Sequence, residues 1–390
     1  MINYKIDKTL LNIVEFLGED KKSQCIVKAY DYNRLKNILK NRKIEILNEY
    51  LFIKSFRVLA TRKQILGLSN LSQVQFISSI STCSTLMYLA KKILKVEELP
   101  LTGKGVGIAF IDTGIIEHGD FCIGERRIKF FKDFVNDRSS CYDDNGHGTF
   151  VAGVCSGSGA MSAGKYSGIA PKSEIISLKA LNGQGEASAD KILNAMEWVY
   201  INHKNYNIKV VCMSFGSEPL GFNDPIMAGA EALWREGVVV VAAAGNSGPE
   251  FQTIKSPGVS SQIITVGGFD DNRIDIDSYD ESFFEVAEFS SRGPAFSRYK
   301  PDLVAPSVDI ISCGRDKPYT VLSGTSVATP MVAGLCALLI EYSPNLKPIE
   351  VKRILLRSCK PICFNKNLEG YGYPEVDKMF LSKENNKFRF

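Results

Sequence analysis

Gly324-Thr325-Ser326-Val327-Ala328-Thr329-Pro330-Met331-Val332-Ala333-Gly334, continuing through Leu335 to Ile340, is a turn of small residues that opens an apolar stretch. It places the Ser326 hydroxyl at the mouth of a helix, where backbone N–H groups are unpaired and the dipole favours developing negative charge. That setting suits a nucleophile. Taken alone, it equally describes a buried helix with a Ser/Thr cap. Residues 327–340 fall short of the roughly 18 apolar residues that a bilayer requires.

Outward from this helix, Gly105–Ile111, Glu174–Ala180, Ile208–Phe215, Val238–Ala244 and Gln262–Gly267 are β-branched apolar runs that alternate with helical stretches. Runs of this kind fit a parallel sheet covered on both faces. In Ala189–His203 the residues Ile192, Met196, Val199 and Tyr200 recur at helical spacing, as Ile226, Ala230 and Leu233 do in Asp224–Glu236. A strand at Val308–Ser312 and helices at Ala328–Tyr342 and Ile349–Cys359 are expected to close this α/β domain. Open sheets of this type bind ligands beyond the carboxyl ends of their strands. Asp112 ends the first such strand, and Asn246 follows another in Ala242-Ala243-Ala244-Gly245-Asn246.

Towards the N-terminus, residues 24–80 form a smaller α+β pattern. Strands are expected at Gln24–Tyr30, Ile44–Leu47, Leu51–Leu59 and Gln73–Ser78, with helices at Tyr32–Leu39 and Thr61–Leu68. The order βαββαβ describes a ferredoxin-like module. Residues 81–100 are expected to be a connector with a short helix around Leu86–Leu94, and the tail Lys383–Phe390 to be frayed surface. The expected division is therefore 1–80, 81–100 and 101–390.

Among the 390 residues, 45% are hydrophobic and 23% charged, as in a globular protein with a substantial core. A net charge of +4 gives no reason to expect nucleic acid as a partner. Residues 1–80 carry 14 Lys and Arg against 7 Asp and Glu, so the remainder is slightly acidic and suited to docking the basic segment. No basic run followed by an apolar core opens the chain, and the ten cysteines lack C-x-x-C spacing. A cytoplasmic protein with reduced thiols, and no membrane partner, is expected. The glycine clusters Gly103–Gly107 and Gly157–Gly164 match no phosphate-loop pattern.

A nucleophilic serine needs a base, a carboxylate that orients the base, and donors aimed at the oxyanion. The sequence holds three histidines, and His147 lies in the glycine-flanked turn Asp144-Asn145-Gly146-His147-Gly148-Thr149. Singly, His147 reads as a helix cap, Asp112 as a strand-end residue and Asn246 as a turn former. Together with Ser326 they follow the order Asp, His, Ser of one known triad arrangement.

Residues 101–375 resemble a subtilisin-family (subtilase) serine protease. The matching stretches are Ile111-Asp112-Thr113-Gly114, Asn145-Gly146-His147-Gly148-Thr149, Val211-Cys212-Met213-Ser214-Phe215-Gly216, Ala243-Ala244-Gly245-Asn246, Ser290-Ser291-Arg292-Gly293-Pro294 and Gly324-Thr325-Ser326. The flanks Ser156–Pro171 and Ser256–Val259 are similar to those of intracellular, signal-less subtilases of Bacillus-type bacteria. The resemblance implies a subtilisin-like parallel sheet with helices on both faces. Ser326 would be the nucleophile, His147 the base and Asp112 its orienting carboxylate, while the Asn246 amide and the Ser326 N–H would bind the oxyanion. Loss of one such donor costs about 10²–10³ in kcat, a magnitude carried over from a subtilisin.

The resemblance also assigns the substrate edges to Gly185-Glu186-Ala187 and Ser214-Phe215-Gly216, with Ala243, Ala244 and Gly245 as a wall of the pocket for the side chain before the scissile bond (P1). An extended peptide would lie between the two edges. Lys255 falls at the floor of that pocket, where an ammonium would favour acidic P1 residues; alternatively it reaches out to solvent. Val327 and Met331 depart from the residues usual in the family, Met and His, and read as repacking behind the nucleophile. Asp120 matches a calcium ligand of the family without the remaining oxygens, so no metal is assigned and calcium has no support.

The 24–80 module resembles the inhibitor-like propeptide of subtilases, with cleavage expected near Ser79–Leu86. Acidic P1 specificity conflicts with that site, since Ser78–Leu94 contains no Asp or Glu. The expected activity is a serine endopeptidase made as a self-inhibited zymogen that processes itself. The alternative is a non-catalytic regulatory or binding protein on the same scaffold, capped by its prodomain.

Overall fold

In Lys22–Ala29 the residues Cys25, Val27 and Ala29 are buried while Lys28 is exposed, the alternation of a strand with one covered face. The computed structural model describes residues 5–6, 10–11, 14, 21–79, 86–97, 99–273 and 279–380, in two units spanning 1–84 and 85–390. In the first unit, β1 (Lys22–Ala29), β2 (Glu45–Tyr50), β3 (Ser55–Thr61) and β4 (Val74–Ser79) form an antiparallel sheet in the order β2-β3-β1-β4. Helices Tyr32–Asn41 and Arg62–Ser69 join these strands and bury Leu35, Leu39, Ile65 and Leu68 in one core with Val27, Phe56 and Val58. Asp31 caps the first helix by accepting from the Arg34 N–H, and Thr61 with Gln64 forms a capping box on the second.

Two details of this unit differ from expectation. The run Leu51–Leu59 is not one strand: a short 3₁₀ turn, Leu51–Ile53, and the left-handed Lys54 (φ 51°) precede β3. The unit also begins earlier than residue 24. Ile6 pairs in parallel with Ile77, the Ile77 N–H donates to the Lys5 carbonyl (2.7 Å), and Ile6, Leu10 and Val14 are buried in the same core.

In the second unit, β5 (Gly107–Asp112), β6 (Ile128–Asp133), β7 (Glu174–Lys179), β8 (Ile208–Met213), β9 (Val239–Ala243), β10 (Ile264–Asp270) and β11 (Glu285–Val286) form a sheet in the order β11-β10-β9-β8-β5-β7-β6, and β12 (Leu303–Pro306) also pairs with β10. Every pairing is parallel except β10 with β11. All five residues of β9 and all six of β5 are buried, as in strands covered on both faces. Helix Pro225–Arg235 starts where the Asp224 carboxylate accepts from the Ile226 and Met227 N–H groups, with Pro225 pre-setting the first turn.

Strand β6 was not expected. Its exposed Lys129 and Lys132 break the apolar run, because β6 is an edge strand. The strand expected at Val308–Ser312 lies outside the main sheet: β13 (Ile310–Cys313) pairs only with β14 (Tyr319–Leu322) as a hairpin. The short helix expected within the connector 81–100 is present. From Leu86 onward the chain is part of the second unit, with helix Leu86–Ile93 and buried Ala90, Ile93, Leu94 and Val96. Most of the expected cleavage segment, residues 80–85, and the tail Lys383–Phe390 lie outside the described residues.

Helix Thr325–Tyr342 has 18 residues and a mean hydropathy of 1.4, so it is long and apolar enough to cross a membrane, contrary to the shorter run read from sequence. It is the central helix of the fold, with 83% of that stretch buried inside the domain. Pro330 stands within it and can supply no N–H to the Ser326 carbonyl. A Cβ added to Gly334 would stand 2.6 Å from Cβ of the buried Ile169, whose N–H is fixed by the Val154 carbonyl. Gly334→Ala should therefore lose more to overpacking, about 1–3 kcal/mol, than the ~1 kcal/mol it gains in helix propensity. Thermal unfolding should show a lower Tm, and a raised Tm would mean that the Ile169 segment yields.

Candidate active site

Asp112 is the last residue of β5 and is 2% exposed. His147 is the first residue of helix His147–Ser156, and its Nδ1 lies 2.7 Å from Asp112 Oδ1. The same oxygen accepts from the Thr113 N–H at 2.7 Å, while Asp112 Oδ2 is buried with no hydrogen-bond partner. Nδ1–H donation to Asp112 leaves Nε2 as the free, basic nitrogen. Burial works against the charged ring, but the Asp112 charge and hydrogen bond, with the Asp143 charge, outweigh it and raise the His147 pKa above 6.5.

Ser326 and Asn246 approach a common point. Asn246 Oδ1 accepts from both the N–H and the hydroxyl of Thr325, each at 2.9 Å, which turns Nδ2 towards the open side. A Cβ placed on Gly324 would lie 3.1 Å from Ser326 Oγ and 3.2 Å from Asn246 Nδ2. Gly324 also has φ 149°, so both its backbone and the space above it require glycine. No hydrogen bond joins Ser326 to His147; such contacts are often loose until substrate is bound.

What holds the Asp112–His147 pair in place was missed in the sequence. Asp143 is buried and accepts five hydrogen bonds, from Thr113 Oγ1, the Asn145 and Gly146 N–H groups, and the N–H and hydroxyl of Thr149. Burial alone would raise its pKa; the donors hold it below 3.8. Thr113 in turn accepts from the Gly148 N–H at 2.8 Å, tying the end of β5 to the start of the His147 helix. Lys179, fully buried at the end of β7, donates to the carbonyls of Thr113 (2.6 Å) and Leu181 (2.9 Å) and to Asp144 Oδ1 (2.6 Å).

The predicted substrate edges follow the two strands that pair with β5. Ser214, Phe215 and Gly216 continue β8 beyond the sheet, and Gly185, Glu186 and Ala187 follow β7 in a turn that Asn182 organises through its side chain and main chain. Ala243 ends β9, with Ala244 and Gly245 next; Gly245 adopts φ 108°. The Lys255 N–H donates to the Ala244 carbonyl at 2.9 Å, and its Nζ pairs with Glu218, which the sequence reading did not single out.

Asp120, the residue matched to a calcium ligand, lies within 4.8 Å of His118 and Cys313 in a buried group of potential ligands. Their atoms are already engaged. Asp120 accepts from the Met161 N–H (2.9 Å), the Tyr319 hydroxyl (2.9 Å) and Cys313 Sγ (3.6 Å), while His118 uses one nitrogen on the Asp120 N–H and the other on the Pro318 carbonyl. This group does not fit a cation that takes 6–8 oxygens. Val327 and Met331 are fully buried on the helix behind Ser326.

In Asp143→Asn, one face of the side chain would present an NH₂ group to protein donors, stranding two of them. With Ser326→Ala as background, Asp143→Asn should lower stability by about 2–4 kcal/mol at pH 7. Because the native Asp143 pKa is depressed, its contribution is present above the unfolded value near 4 and is lost as pH falls through the native one. Urea titrations should show the gap between the two proteins shrinking below pH 4; a pH-independent gap would remove the charge from this account.

Residues 103–380 match the model of the Subtilase family. The chain is 44% identical over 277 residues to Serine protease AprX of Bacillus subtilis (strain 168), covering 65% of this chain and 61% of that protein. It is 33% identical over 273 residues to Subtilisin Savinase of Lederbergia lenta, covering 70% and 89%. The first curated relatives are matched over less than two thirds of their own length, 61% for AprX and 65% for a Bacillus Subtilisin. Among solved structures, Sphericase superposes with a TM-score of 0.64 at 27% identity, over 76% of this chain and 100% of that one. S41 Psychrophilic Protease gives 0.64 at 30% identity, over 76% and 99%. By the extent of the sequence match and the shared subtilisin-like α/β fold, this chain belongs to the subtilase family.

Proposed function

We propose that the chain is a serine endopeptidase acting on proteins or peptides, made as a zymogen whose N-terminal unit inhibits it and is removed by self-processing. The observation that carries this reading is the 2.7 Å Asp112–His147 hydrogen bond at the same sheet edge where Ser326 Oγ and Asn246 Nδ2 converge. In the reaction, Ser326 Oγ attacks the scissile carbonyl as His147 Nε2 takes its proton, and Asp112 stabilises the resulting imidazolium. The Asn246 amide and the Ser326 N–H receive the oxyanion, and His147 returns the proton to the leaving amine. Water then repeats the sequence on the acyl-enzyme, freeing Ser326.

The ferredoxin-like topology of residues 22–79 and their excess of basic side chains support the N-terminal unit as the intramolecular inhibitor. No disulfide joins the nine described cysteines, which supports a reducing, cytoplasmic setting. We read the activity as needing no cofactor, since triad chemistry uses none and the Asp120 carboxylate is satisfied by protein donors. Neither nucleic acid nor membrane is assigned as a partner.

The intact mass of the wild type beside Ser326→Ala tests the reading. The wild type should lose about 80 N-terminal residues, following the domain boundary at residue 84, while the variant stays full length. If both stay full length, self-processing is refuted, and the N-terminal unit is either a standing inhibitor or is removed by another protease. A second expectation concerns pH. His147 must be neutral to accept the proton, so kcat/KM on a peptide should fall on the acid side with a midpoint above 6.5. A midpoint at or below 6.5 would mean that the Asp112 and Asp143 charges do not outweigh burial.

A further inference from the structure

Lys255 fills the slot between Gly245, in the wall assigned to the P1 pocket, and Gly216, in a substrate edge. Its Cβ would lie 2.5 Å from a Cβ added to Gly216, and its Cγ 2.5 Å from one added to Gly245, so the aliphatic stem is seated between the two glycines. Ser217 and Ser256 exchange backbone hydrogen bonds (3.0 and 2.9 Å), fixing the segment that carries Lys255 against the one that carries Gly216. The ammonium ends on Glu218. The two partners are held very differently: the Lys255 side chain is 19% exposed, whereas that of Glu218 is 80% exposed. Among the described residues, Lys255 is also the one hydrogen-bond partner of the Glu218 carboxylate.

We propose that Glu218 is an exchangeable counter-ion for Lys255, closing the P1 pocket as a neutral site and giving way when a substrate presents its own carboxylate there. This inference rests on the protease reading and names the substrate property that its pocket senses. An exposed carboxylate with one contact is weakly held, so replacing it by a substrate carboxylate exchanges one ion pair for another at little net gain. An uncharged P1 side chain leaves the pair intact and packs against the lysine stem. The conflict left by the sequence is thereby resolved. A bare ammonium would demand acidic P1 residues, which Ser78–Leu94 lacks, whereas a neutralised one admits the uncharged residues found there.

The test uses peptides that differ only in P1, with Glu, Gln or Leu. It reads kcat/KM with active protein and affinity by calorimetry with the Ser326→Ala form. Glu218→Gln should raise the Glu-to-Leu ratio about three- to tenfold in both readouts. Lys255→Met, which keeps the stem and removes the charge, should lower the ratio, and Glu218→Gln added to it should change the ratio by less than about twofold. An equal effect of Glu218→Gln on all peptides, or an undiminished effect in Lys255→Met, overturns the counter-ion. If no peptide is cleaved yet the affinity ratio still shifts, the protease reading fails and the exchangeable pair stands. If cleavage is normal and neither ratio shifts, the protease stands and the pair fails.

Discussion

The buried Asp143 carboxylate is the constraint on which the Asp112–His147 half of the centre depends. A charge in the interior must find donors, and the five it finds come from the end of β5, from the turn before His147 and from the first helical turn after it. Satisfying that one group brings a strand end and a helix start into a single arrangement. The 2.7 Å contact between Asp112 and His147 is then a consequence of two backbones already in register. Lys179 extends the same logic to the next strand, since its ammonium has three oxygen partners around the Thr113 carbonyl.

The opposite side of the cleft is governed by space. Gly324 leaves open the volume that Ser326 Oγ and Asn246 Nδ2 share, and Thr325 spends its N–H and its hydroxyl on orienting Asn246. Electrostatics therefore set one half of the centre and the absence of a side chain sets the other. Both halves stand at the carboxyl edge of the parallel sheet, where β5, β8 and β9 end.

The sheet and its covering helices were legible because doubly buried strands such as β5 and β9 write themselves as unbroken apolar runs. Strand β6 escaped because an edge strand tolerates lysines, and Val308–Ser312 misled because its apolar residues belong to a hairpin. Asp112, His147, Asn246 and Ser326 read singly as caps and turn formers, and it was their joint order and the family resemblance that singled them out. Asp143 and Lys179 were not singled out. Nothing in Asp143-Asp144 says that the first is buried with five donors and the second is 41% exposed, and Lys179 lies in a run otherwise typical of a core strand. The Lys255–Glu218 pair was half visible: the lysine could be placed by resemblance, but its partner lies 37 residues away and meets it only through the fold.

The stitch between Ile6 and Ile77 bears on how the first unit carries load. Strand β4 is flanked by β1 on one side and by the Lys5–Ile6 backbone on the other, and it is the last element before the boundary at residue 84. Tension applied to the chain there runs along β4 and must shear both flanks together, because neither can be unzipped one bond at a time. A break beyond Ser79 cuts none of these pairings, so the unit keeps its closing strand.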